Sequence, residues 1–108
     1  MSTLPGTWAL TMRTPIGSIR ADLTFIAGGE ALRGTAIGTD ETVELLDIAT
    51  SAVDGGERVT WRQSITKPLR LHLDFDVVVT GDTMTGHSRA GRLPRSSVSG
   101  TRVARSTR

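Results

Sequence analysis

The amino-acid sequence predicts an all-β fold, a single up-and-down antiparallel β-barrel of about eight strands, with residues 1–108 forming one domain. Apolar and polar residues alternate through most of the chain, and no stretch repeats with the period of a helix. Turn-forming residues recur about every 8–12 residues, as they do in all-β proteins. One open sheet would leave its apolar face in water, whereas a barrel buries that face and removes both edges. A sandwich of two sheets is the rival architecture.

Eight segments have the alternating pattern of a strand. They span 7–13, 18–26, 31–37, 42–53, 58–65, 69–79, 83–89 and 96–103. The sixth is the most regular, because every second residue from Leu69 to Val79 is apolar while the opposite face is polar from Arg70 to Asp76. This segment indicates which face of the sheet lies inside the barrel.

The fourth segment does not keep a single alternation. Its apolar residues occupy odd positions up to Leu45 and even positions from Leu46 to Ile48. A β-bulge would reconcile the two halves. The register of this segment decides whether Glu44 or Asp47 points inward, where a buried carboxylate is costly unless paired and is therefore a candidate for chemistry.

The composition excludes several classes of function. The chain has no Cys, so a disulfide, a thiolate metal site and a Cys nucleophile are all ruled out. No apolar run approaches the roughly 20 residues of a membrane helix, and residues 1–5 lack the features of a signal peptide. We therefore expect a cytoplasmic protein without a membrane partner. No metal-ligand spacing, phosphate-binding loop or nucleophile motif is present, so we expect no metal and no cofactor.

The net charge of +2 is unevenly distributed along the chain. Residues 1–88 carry seven basic and eleven acidic side chains, a net −4, whereas residues 89–108 carry six Arg and no acid, a net +6. A basic terminal segment can bind nucleic acid. Aromatic residues are not interleaved with these Arg residues, however, so a surface for stacking bases is missing. We interpret residues 104–108 as a frayed, solvated basic tail and expect no nucleic-acid partner.

Two short motifs near opposite ends of the chain share the dipeptide Gly-Thr. Gly6-Thr7-Trp8 opens the first strand, and Gly100-Thr101-Arg102 lies on the last. An Arg side chain can stack on the face of a Trp ring, so the pair Trp8 and Arg102 would close the barrel at one end. A Gly-x-Trp on the first strand with a late Arg on the last resembles the signature of calycin-like barrels, which include lipocalins, fatty-acid-binding proteins and avidins. The resemblance implies the fold and not an activity.

The residues that give the known activities of that group are missing from this chain or are expected to have other roles. Avidin-type biotin binding uses a Tyr and several Trp, but this chain has no Tyr and Trp61 as its one inner Trp besides Trp8. Fatty-acid-binding proteins hold a carboxylate with an Arg and a Tyr, and Arg102 is expected to stack on Trp8 instead. Haem-binding barrels need an inward His, whereas the alternation of their strands places His72 and His87 on the outer face.

The predicted interior combines large apolar residues with small ones. Gly34, Ala36, Gly86, Ser88 and Gly100 fall on inward faces. An eight-stranded barrel is just wide enough to be filled by side chains or to hold one small ligand. The small residues would leave room for a guest, unless large and small side chains simply interdigitate.

The leading hypothesis is a barrel that binds a small, mostly apolar molecule, with Gln63 and Ser88 orienting it. The predicted ligand-binding residues are Leu10, Met12, Leu23, Phe25, Trp61, Gln63, Leu73, Phe75, Met84 and Ser88. The alternative is an isomerase or cyclase in the same cavity, with Asp47, Gln63 or Ser88 as catalytic candidates. A third class is a structural protein with a filled core, and the sequence leaves a homodimer open.

The polar face of the sixth segment predicts an outer ladder of charges. With Gly81-Asp82 at the centre of the following turn, Asp76 faces His87 and Asp74 faces Arg89; a shift of one residue would put Asp74 opposite His87. An Asp–His pair can serve as a base and its orienting group, but strict alternation with the apolar residues favours exposed cross-strand ion pairs.

Overall fold

A computed structural model describes residues 4–14, 17–28, 31–38, 41–66 and 70–103 of the chain. These residues form one antiparallel sheet and include no helix. Its strands are β1 (Gly6–Thr14), β2 (Gly17–Gly28), β3 (Ala31–Ile37), β4 (Thr42–Glu44), β5 (Leu46–Val53), β6 (Gly56–Ile65), β7 (Leu71–Thr80), β8 (Thr83–Arg89) and β9 (Ser96–Arg102). They are ordered β4-β3-β2-β1-β9-β8-β7-β6-β5 in the sheet. The prediction of an all-β, up-and-down barrel is confirmed.

The sheet curls until its two edges almost meet. The first and last strands, β1 and β9, pair in a continuous antiparallel ladder with Trp8 opposite Arg102. The edge strands β4 and β5 are consecutive in the chain and are joined through Leu45, whose N–H donates a 2.9 Å hydrogen bond to the Gly34 carbonyl of β3. The observed architecture is therefore a nearly closed single barrel and not a two-sheet sandwich.

The described residues form nine strands where about eight were predicted, because the segment 42–53 is divided into β4 and β5. Val43 of β4 pairs with β3, whereas Leu46 and the rest of β5 pair with β6 on the other edge of the sheet. The pairing of β5 shifts register between Leu46 and Ala49, and Asp47 between them has a positive φ of 53°. The irregularity predicted for this segment is confirmed, and it is the corner at which the chain passes from one edge to the other.

The hairpin between β7 and β8 has the first of the two predicted registers. Asp76 lies opposite His87, and Asp74 lies opposite Arg89. Gly81 opens the turn with a φ of 61°, a conformation that Gly adopts without steric cost. Other predicted features lie outside the described residues, namely residues 15–16, 29–30 and 39–40 of three turns, the segment 67–69 and the tail 104–108.

The inner face of the barrel forms one apolar core. All ten predicted ligand-binding residues are buried in it, together with Trp8, Val59, Val77, Val79 and Val98. Trp61 stacks on Phe75 of the neighbouring strand with ring centroids 4.8 Å apart, and its ring makes an edge contact with Phe25 at 5.6 Å. Within the parts of the chain described above, no helix is long and apolar enough to cross a membrane.

Candidate functional site: a cavity inside the barrel

One end of the barrel is closed by the predicted pair of Trp8 and Arg102. The guanidinium carbon of Arg102 lies 4.4 Å from the centroid of the Trp8 ring. Arg102 Nε donates to the Asp82 carboxylate at 2.9 Å, and its Nη1 donates to the Pro5 carbonyl at 2.9 Å. A Cβ at position 6 would lie 2.9 Å from that Nη1, and Gly6 has a φ of 130°, so both space and backbone conformation call for Gly there.

The other end contains a cavity of about 430 Å³. Ligand sites in proteins span roughly 300–1,000 Å³, so the cavity has room for a small molecule. Ser18, Gly38 and Glu41 on its lining lie next to connections between strands, which places its opening at the end opposite Trp8. The rest of the lining is Leu10, Met12, Ile19, Arg20, Ala21, Leu23, Ala36, Val43, Gln63, Ile65, Leu73 and Phe75.

The walls of the cavity are mainly aliphatic and come from one side of the barrel. Strands β1 to β4, β6 and β7 contribute residues to the lining, whereas β8 and β9 contribute none of theirs that the structure describes. Phe75 brings an aromatic ring to the lining, and behind it Trp61 is 1% exposed and Phe25 also 1%. The stacked rings thus support one wall of an otherwise aliphatic pocket.

Gln63 is the buried polar side chain on this lining. It is 7% exposed, and its Oε1 accepts a 3.0 Å hydrogen bond from the indole Nε1 of Trp61. An indole N–H can only donate, so the atom that it contacts must be the amide oxygen. The NH₂ group of Gln63 therefore does not bond to Trp61 and lies on the side of the cavity.

Ser88, the other buried polar residue, does not line the cavity. It is 1% exposed, and its hydroxyl contacts the Met12 sulfur at 2.8 Å. Among the predicted ligand-binding residues, Leu10, Met12, Leu23, Gln63, Leu73 and Phe75 line the cavity, while Phe25, Trp61, Met84 and Ser88 are buried outside its lining. The prediction missed several aliphatic residues near the opening, among them Ile19, Val43 and Ile65, although their alternation with polar neighbours could have indicated them.

The inward glycines follow the second of the two predicted alternatives, in which large and small residues interdigitate. A Cβ at Gly34 would lie 2.8 Å from Leu45 Cδ1, and a Cβ at Gly86 would overlap the backbone carbonyl of Asp76. A Cβ at Gly100 would lie 3.2 Å from the Leu10 side chain. These glycines allow close approach by neighbouring groups. The cavity arises elsewhere, with Ala36 as the one predicted small residue on its lining.

The carboxylates of the fourth predicted segment point out of the barrel. Glu44 and Asp47 are both exposed, and an Asp47 oxygen lies 3.4 Å from Arg62 Nη1. The missed carboxylate is Glu41, which lines the cavity near its opening. Both Glu41 oxygens accept from the Thr66 backbone N–H at 3.0 Å, and Oε2 also accepts from the Thr66 hydroxyl at 2.6 Å. No local sequence signal marks this pair, because barrel closure brings together residues 25 positions apart.

The outer face carries a ladder of charges, but Asp74 and Asp76 form their ion pairs with β6 and not with the residues of β8 that were predicted as their partners. Arg58 donates two hydrogen bonds to the Asp76 carboxylate, at 2.9 and 2.6 Å. These bonds lower the pKa of Asp76 from its ordinary value and raise the pKa of Arg58. Arg62 Nε lies 3.3 Å from an Asp74 oxygen. The ladder is thus separate from the cavity, on the other side of the sheet.

Outer-face His72 has a neutral partner, since its Nδ1 lies 2.7 Å from the Ser64 hydroxyl. Throughout the described segments, no cluster of three or more His, Asp or Glu side chains could hold a metal ion.

The chain matches no protein-family model and no curated protein. Its class is therefore defined by geometry alone. It is a small up-and-down antiparallel β-barrel, plugged at one end by a Trp–Arg stack and holding an apolar cavity at the other.

Proposed function

We propose that this protein is a calycin-like binding barrel that holds a small, mostly apolar molecule in its internal cavity. The observation that carries the proposal is the cavity itself, with a volume of about 430 Å³ and a mainly aliphatic lining. Water in such a pocket makes poor contacts with its walls, so an apolar guest of matching size gains free energy by displacing it. The closed end favours a single entrance, because the Trp8–Arg102 stack and its hydrogen bonds occupy the other one.

In this proposal six of the predicted residues touch the guest, since they line the cavity. They are Leu10, Met12, Leu23, Gln63, Leu73 and Phe75. In this proposal Phe25, Trp61, Met84 and Ser88 support the wall from behind. Binding of this kind requires no cofactor, and a cytoplasmic location stays a prediction.

The alternative of an isomerase or cyclase has less support. It needed an inward acid or base, and the candidate carboxylate Asp47 is exposed, as is Glu44. Glu41 does line the cavity, but both of its oxygens accept hydrogen bonds from Thr66. The amide of Gln63 does not titrate in the physiological range, so it orients a ligand better than it transfers a proton. The Ser88 hydroxyl contacts Met12 and lies off the cavity lining. A binding protein therefore fits these side chains better than an acid–base catalyst.

The test is uptake of a neutral apolar fluorophore, N-phenylnaphthylamine, by the purified protein. We expect a saturable rise in fluorescence with one site per chain. Ala36→Val should weaken binding, since Ala36 lines the cavity and the added methyl groups would occupy it. Asp74→Asn on the exposed face of β7 is the control and should bind like the parent. Absence of saturable uptake, or equal affinity in the Ala36 variant, would count against the proposal.

A further inference from the structure

The orientation of the Gln63 amide is fixed by its neighbour in the core. Because Trp61 Nε1 must donate to the oxygen, the amide nitrogen is turned away from the indole. Trp61 lies two residues earlier on the same face of β6, and Ile65 lies two residues later, at the open end. The Nε2 of Gln63 is thus directed toward the part of the lumen that holds the cavity.

This nitrogen lacks a hydrogen-bond partner within the described chain. The one hydrogen bond of the Gln63 side chain is the one that its oxygen accepts from Trp61. Among the described side chains, no fully enclosed nitrogen or oxygen lacks a partner. The free Nε2 must therefore border open space, which the cavity beside Gln63 provides. A nearly buried donor of this kind is costly to cover with hydrocarbon and favourable to cover with an acceptor.

The charges around the cavity favour a neutral acceptor over an anion. The lining neighbours of Gln63 on its own and adjacent strands, Ile65, Leu73 and Phe75, are apolar. The two charged residues on the described lining are Glu41, whose carboxylate is held by Thr66, and Arg20, which is exposed. A carboxylate placed at Gln63 would lose its hydration without gaining an enclosed cation.

The geometry points to an uncharged ligand with a carbonyl oxygen, which accepts a hydrogen bond from Gln63 Nε2 while the apolar remainder fills the cavity. This inference rests on the proposed function and adds the chemical class of the ligand. It makes Gln63 the residue that selects a ketone, or a similar neutral carbonyl, over a hydrocarbon or a carboxylate of the same shape.

Three naphthalenes that carry different groups at the same ring position provide the test. Acetylnaphthalene offers a carbonyl, isopropenylnaphthalene has nearly the same planar shape with a CH₂ group in place of the oxygen, and naphthoate carries a charged carboxylate instead of the acetyl group. We expect the ketone to bind roughly 3- to 10-fold more tightly than the hydrocarbon, as one net hydrogen bond would give. Naphthoate at neutral pH should bind most weakly. The infrared stretch of the ketone should lie at lower frequency in the complex than in a hydrocarbon solvent, because only the complex offers a hydrogen bond.

Two substitutions test the role of the amide directly. Gln63→Met replaces the amide with an apolar side chain of similar length. It should abolish both the preference for the ketone and the infrared shift. Gln63→Glu keeps an oxygen for Trp61 and loses the donor once its carboxyl is ionised, so its preference for the ketone should disappear as the pH is raised, even if the Met variant folds poorly. Ser64→Ala, the outward neighbour on the same strand, is the matched control and should keep the parent selectivity.

The outcomes separate this inference from the proposed function. If the ketone and hydrocarbon bind equally in the parent, or if the preference survives both Gln63 variants, the carbonyl assignment is wrong while the binding cavity stands. If naphthoate binds most tightly, the carbonyl assignment is also wrong, and the ligand is an anion that Arg20 on the cavity lining would bind. If none of the three naphthalenes binds, the proposed function itself fails.

Discussion

At one end of the barrel a stacked guanidinium closes the lumen, and at the other end a cavity reaches the surface. At the closed end the polar atoms have partners close by, since Trp8 Nε1 donates to the Leu4 carbonyl and Arg102 binds Asp82 and Pro5. At the open end Gln63 Nε2 borders space. Buried polar groups are normally paired, so we propose a ligand for the unpaired donor beside the cavity and a structural role for the end whose polar groups are paired.

The largest expected effect belongs to the closed end. Trp8 is fully buried, so Trp8→Ala should lower the free energy of unfolding by roughly 3–5 kcal/mol through lost burial and a new void. Arg102→Ala should cost less, because part of that side chain remains in water. Denaturant unfolding of the two single variants and the double variant would measure the coupling, which we expect at about 0.5–2 kcal/mol for this stack. Additive effects would show that the stack does not link β1 to β9.

A pair of small-to-large substitutions contrasts the packed wall with the cavity. Gly86→Val should destabilise by roughly 1–3 kcal/mol or more, because even its Cβ would overlap the backbone of Asp76. Ala36→Val should change stability less, since its methyl groups can extend into the cavity that Ala36 lines. Thermal melting of both variants is the measurement. The reverse order of melting temperatures would mean that the cavity does not lie beside Ala36.

The smallest expected effect concerns the contact beside the cavity opening. Glu41→Gln keeps one oxygen for Thr66 but removes the charge and the second acceptor, so we expect a loss of about 1 kcal/mol or less at this partly exposed site. The rates of probe uptake and release, followed by stopped-flow fluorescence, should rise because the contact holds Glu41, just before β4, against Thr66 at the end of β6. Thr66→Val should behave in the same way. Unchanged rates in both variants would separate this contact from ligand entry.

The strands with strict alternation could be predicted because burial of one face requires it. The segment from Leu71 to Val79 has the same inward residues in the sequence pattern and in the structure. The register of its hairpin with β8 also followed from the position of Gly81-Asp82. The corner at Leu45 could be predicted only as an irregularity, because its geometry depends on strands at both edges of the sheet.

The sequence by itself determined the all-β class, the inward faces and the pairing of Trp8 with Arg102, since each depends on local alternation or on two matching ends. Only the tertiary structure decided where the empty space lies. Gly34 and Gly86 suggested a lumen, yet Leu45 and the backbone of Asp76 occupy the space beside them. The contact of Glu41 with Thr66 and the free donor of Gln63 likewise depend on how distant strands approach one another. The position of a cavity depends on how the side chains of all the strands pack together, so no single segment of the sequence determines it.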